Sequence, residues 1–81
     1  MIGEVKIIAF DKQIRGFLDC DGRAVYISDY PGLFDLLGHR FGDTAPDKMF
    51  YLPNLPVVWD GLKAVIQAEG DAPKIVKGLK K

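Results

Sequence analysis

A single cysteine, Cys20, and a single histidine, His39, stand in this chain of 81 residues. One thiol excludes a disulfide within the chain. One thiol and one imidazole are too few for a closed structural metal site, so no metal is expected. Serine is equally scarce: Ser28 stands alone, with no nucleophile elbow around it. The glycines are scattered through turn-like stretches, and none gathers into a phosphate-cradling loop ahead of a helix. No apolar run approaches the roughly 20 residues that span a bilayer, and Met1-Ile2-Gly3-Glu4-Val5-Lys6 lacks the basic-then-apolar order of a secretory signal. The expectation is a protein with no catalytic residues, no cofactor and no membrane insertion.

Net charge is also absent, but the zero is a sum of two unequal parts. Residues 1–73 carry all eleven acids against seven bases, and residues 74–81 add Lys74, Lys77, Lys80 and Lys81 with no acid. A mildly acidic body is a poor electrostatic partner for nucleic acid, so none is expected. The basic end reads either as a solvated terminus or as a contact for an acidic neighbour. One domain, residues 1–73, followed by a basic tail, 74–81, is the organisation this implies. A domain so small buries only a little over roughly 60% of its unfolded surface. With disulfide and metal set aside, self-association is the remaining source of added stability.

What is present is a hydrophobic content of 48%, ample for a folded core. Gly3 to Phe10 is rich in β-branched residues and reads as a strand. Phe17 to Cys20 reads as a second, and Arg23 to Ile27 as a third, joined to it by Asp21-Gly22 as a hairpin turn. The period then changes. Tyr30, Leu33, Phe34, Leu37 and Phe41 follow helical spacing and predict one amphipathic helix over about 29–38. Ser28 or Asp29 is placed to cap it, Pro31 fits its first turn, and Gly38 can end it. Met49 to Leu52 reads as a brief extended segment held by Pro53 and Pro56. Leu62 to Ala68 reads as the last strand, with a helix as the competing assignment.

Asp19-Cys20-Asp21 is the densest polar cluster. Flanking carboxylates oppose a thiolate, so Cys20 is expected to be a small buried apolar residue and not a nucleophile. Trp59, in Pro56-Val57-Val58-Trp59-Asp60-Gly61, suits a core or an interface equally.

An ordered series of these pieces resembles the phage tail collar domain. Gly3-Glu4-x-Lys6 opens it, followed by Gly16-Phe17-x-x-Cys20-Asp21-Gly22. Tyr30-x-x-Leu33-Phe34-x-x-Leu37-Gly38 and Phe41-Gly42 come next, then Phe50-Tyr51-Leu52-Pro53-Asn54-Leu55. Ala64-Val65-Ile66-Gln67-Ala68-Glu69-Gly70 is similar to the family's closing strand, so the resemblance covers about residues 2–73. Phe17 stands where the family has Trp, and Ile14-Arg15 replaces the usual proline before Gly16. The variable insertion that follows Leu55 in the family is replaced by six residues, leaving the bare scaffold. The resemblance implies an α+β, mostly β fold of small twisted antiparallel strands with one central helix. It implies a structural tail component (fibre, tip or baseplate) made in the bacterial host cytoplasm and destined for the virion. A homotrimer docking to other tail proteins is expected, with Val57, Val58, Trp59 and the four tail lysines as candidate contacts. The competing expectation is a module recognising a bacterial surface glycan, with Tyr26, Tyr30, Tyr51 and Trp59 as the aromatics available to stack on sugar.

Overall fold

The computed structural model describes residues 1–71. The lysines at 74, 77, 80 and 81, and the tail assigned to 74–81, lie outside the described residues. Five short strands and one helix run in the order β1 (Val5–Ile8), β2 (Phe17–Asp19), β3 (Ala24–Tyr26), α1 (Pro31–Leu37), β4 (Met49–Tyr51) and β5 (Lys63–Gln67). The fold is mostly β, antiparallel throughout, as expected.

β5 is the centre of a three-stranded sheet of order β1-β5-β2, and β3 pairs with β4 in a separate two-stranded ribbon. The expected hairpin across Asp21-Gly22 is therefore absent: β2 and β3 belong to different sheets. The turn is real, with Gly22 at φ +81, but it hands the chain from one sheet to the other. The helical assignment of the last segment also gives way. Ala64, Val65 and Ile66 are buried in an extended strand held from both sides.

The helix forms where the 3.6-residue spacing puts it and is shorter than the stripe. Pro31 occupies its first turn, where the missing N–H has no helical partner to lose. Tyr30 is the N-cap, without a side-chain cap bond from Ser28 or Asp29. Gly38 ends it at φ +54, donating its N–H to Phe34 O at 2.7 Å. Phe41 lies past that end and is exposed, so it does not extend the stripe. Leu33 is fully buried, while Tyr30, Phe34 and Leu37 pack partly against the core.

That core joins Leu33 to Phe50 and Leu52 from the β4 region, Ala64, Ile66 and Ala68 from the β5 region, and Ile2 and Cys20. The Phe34 ring meets Phe50 at 5.2 Å between centroids, linking helix to ribbon. Ile2 packs under the helix, its Cδ1 just 3.2 Å from where a side chain at Gly32 would begin.

Candidate interaction surface

Two sequence elements about thirty residues apart meet in space. Cys20-Asp21-Gly22 lies against Leu52-Pro53-Asn54-Leu55, with Leu55 N donating to Cys20 O at 2.9 Å and Gly22 N to Pro53 O at 3.2 Å. Asp21 and Asn54 form a β-bridge. Leu52 and Pro53 are buried at this seam. Gly22 is required twice over: its φ is positive, and an added Cβ would stand 3.2 Å from the Asn54 Cβ. Gly16, at φ +84, makes the tight turn that starts β2, closed by Phe17 N to Ile14 O at 3.1 Å. That turn forms without the proline the family usually has there.

Cys20 lies in this seam with 5% of its surface exposed. Burial, then the Asp19 and Asp21 charges, push its thiol from 9.0 up to about 11. Arg23 grips Asp21 through Nε and Nη2, at 3.0 and 2.7 Å, and holds that carboxyl below its usual range. Both side chains are about half exposed, so this pair orders the turn more than it stabilises the fold. Asp19 faces Lys63 Nζ at 3.1 Å. A raised thiol pKa disfavours the reactive thiolate, by about a hundredfold at neutral pH for a shift of this size. Iodoacetamide should therefore modify the native protein far more slowly than the urea-unfolded chain; equal rates would mean an open seam. The linkage has the same sign. The thiol's contribution to stability is complete below pH 9 and is lost as pH rises through about 11.

The loop after the seam is the most exposed apolar stretch among the described residues. Val57 packs on the core, whereas Val58 and Trp59 are 85% and 68% exposed. Trp59 is therefore not part of the core formed by the described residues. Val5, Ile7 and Phe10 are also exposed; a β-branched strand gives no sign of which neighbour is missing. His39 is exposed, edge-on to the Phe34 ring at 5.2 Å. Among the described residues no cluster of three or more His, Cys, Asp or Glu side chains is placed to hold a metal ion.

Two hollows border the seam. One, about 220 Å³, runs from Cys20 to Val57 and Leu62 and is smaller than ordinary ligand sites. The other, about 480 Å³, is shallow and lined by Asp21, Gly22, Phe41, Tyr51, Leu52 and Asn54. Phe41 and Tyr51 therefore come together, although the sequence offered only Tyr51 as a sugar-stacking candidate. Tyr30 is half-buried on the core, and Tyr26 stands exposed on β3.

No curated protein matches the chain, and neither does any solved structure. Residues 3–57 match the family model of the phage tail collar domain. That span takes in both halves of the seam, the helix and four of the five strands. The chain belongs to the phage tail collar domain family, a structural family of phage tails.

Proposed function

We propose that this protein is a non-catalytic structural part of a phage tail that assembles as a homotrimer and docks to another tail protein in the fibre, tip or baseplate. The observation that carries the reading is the exposed Val58-Trp59 loop on a domain with so small a core. Tryptophan is enriched at the hot spots of protein interfaces, where its large ring buries much apolar area. Family membership supports the tail setting. The lysines at 74, 77, 80 and 81 supply a second, electrostatic contact to an acidic neighbour in this proposal.

The test is sedimentation of the purified chain with a Trp59→Ala variant beside it. Three chain masses at micromolar concentration are expected for the parent, and a shift to monomer for the variant. A parent that stays monomeric across that range counts against the trimer. Absence from purified tails counts against docking.

A second reading, recognition of a host surface glycan, is favoured by the Phe41–Tyr51 hollow with Asp21 and Asn54 at its rim. Aromatic faces beside polar groups are what sugar rings require. Titration with bacterial surface polysaccharide, followed by tyrosine fluorescence and repeated on Phe41→Ala, separates this reading from docking alone.

A further inference from the structure

The two edges of the three-stranded sheet are not equivalent. Along β5 the backbone groups alternate between neighbours. Gln67 accepts from Gly3 at 2.8 Å and donates to Glu4 at 2.9 Å, so it faces β1. Ala64 O accepts from Cys20 at 3.0 Å and Ala68 N donates to Gly16 at 2.7 Å, so those residues face β2. With the register Val5↔Ile66, Lys6↔Val65, Ile7↔Ala64 and Ile8↔Lys63, the N–H and C=O of Val5 and Ile7 point away from the sheet. No hydrogen bond among the described residues reaches them. On the other edge the outward groups of Phe17 are both taken, its N–H by Ile14 O and its C=O by Gln13 Nε2 at 2.7 Å. β2 is closed at Phe17 and open only at Asp19, whereas β1 is open at both Val5 and Ile7.

The open edge is apolar as well. Val5 and Ile7 lie on the same face as Ile66 and Ala64, extending the core layer beyond its cover, and are 44% and 56% exposed. Phe10 continues the surface past the strand, bordering a hollow with Gly61 and Leu62. Proteins blunt such an edge by keeping it short or with lysine, proline, a bulge or an inward charge. β1 is four residues long and has no proline, so it is only partly blunted. Here the only charge within β1 is Lys6, on the opposite face, with its Nζ 5.4 Å from the Phe17 ring centroid.

We propose that the edge of β1 receives an extended strand from a partner protein, apolar beside Val5 and Ile7 and acidic opposite Lys6. The proposal rests on the docking reading above and gives that partner its chemistry. Charge selects among the occupants. A second copy pairing antiparallel in the register that uses both Val5 and Ile7 on each side sets Lys6 against Lys6, which is unfavourable. Shifting that register by two residues runs off the four-residue strand, onto Gly3 at φ +91 or past Ile8. The chain's own residues 74–81 fare no better. With lysine at 74, 77, 80 and 81, every alignment puts a lysine directly or diagonally opposite Lys6. An acidic partner strand meets neither obstacle, and strand addition draws affinity from backbone bonds that any extended segment supplies.

The probe is a synthetic eight-residue peptide of alternating valine and threonine with one central glutamate, and the same peptide with lysine there as its control. In the free full-length protein the Val5 and Ile7 amides should exchange with solvent rapidly, and the glutamate peptide should protect both. The lysine peptide should bind about fivefold more weakly, the factor for roughly 1 kcal/mol of cross-strand charge preference, and Lys6→Glu should reverse the order. Ile7→Pro removes one outward N–H without touching a ladder bond and should abolish binding. Slow Val5 and Ile7 exchange in a free monomer would assign the edge to the chain's own C-terminal segment, and in a free oligomer to a second copy. Either result overturns the proposal, as does binding indifferent to the Lys6 charge. If the peptide behaves as stated but the protein is missing from tails, the docking reading fails and the edge assignment stands.

Discussion

Phe50→Ala is expected to cost about 3–5 kcal/mol, the range for truncating a fully buried aromatic. Phe50 has no exposed surface, sits mid-strand in β4 and packs on the Phe34 ring that ties helix to ribbon. The cavity would open where ribbon, helix and core meet, so little nearby could collapse into it. A domain of this size commands roughly 0.05–0.15 kcal/mol per residue, so the loss removes much of what it has. Urea denaturation reads the effect. Tyr26→Ala, on exposed β3 surface, is the control and should stay within about 0.5 kcal/mol. A loss below about 1 kcal/mol at Phe50 would mean that the ribbon is not part of the cooperative core.

The second large effect is at the seam. Gly22 and Gly61 share a φ of +81, but an alanine Cβ at Gly61 meets nothing within 4 Å, whereas at Gly22 it meets Asn54. Both alanine variants carry the backbone strain, about 1–3 kcal/mol. Gly22→Ala alone must also push apart a turn that is hydrogen-bonded to the segment it strikes. It should fall below Gly61→Ala by about 1 kcal/mol or more, and its Cys20 should alkylate faster as the seam loosens. Equal losses at the two sites would show that Asn54 yields freely and that the seam is soft.

The seam also marks the limit of what the sequence discloses. The helix was legible because Tyr30, Leu33, Phe34 and Leu37 are neighbours on one face of a local repeat, and Pro31 and Gly38 mark its ends. β1 was legible from its β-branched content, and β5 from Val65-Ile66 together with the family resemblance, against a helix as the competing assignment. The partner of Asp21-Gly22 was not. A glycine after an aspartate signals a turn, but whether the chain returns to its own strand depends on what packs against the turn. Here Leu52-Pro53-Asn54 does, from far along the chain, and three-residue strands carry too little pattern to specify a pairing. The interaction surface divides in the same way. Val58 and Trp59 stood out as an apolar loop. Val5 and Ile7 did not, because an edge strand and a central strand of the same composition differ only in a neighbour the sequence does not display. Phe41 was drawn into the helical stripe by its spacing, and Gly38 turned the chain away before reaching it.

The position of β5 has a consequence for how the protein is made. The strand at the centre of the sheet comes after both strands it joins. As the chain emerges during synthesis, β1 and β2 have no partner until residues 63–67 appear. Until then Val5, Ile7 and Leu18 stand on unpaired strands in the nascent chain. Pairings of such wide sequence separation also close slowly compared with local ones. Chaperone occupancy on ribosome-bound chains should therefore persist until β5 is released, and a chain ending before residue 63 should aggregate instead of folding in part.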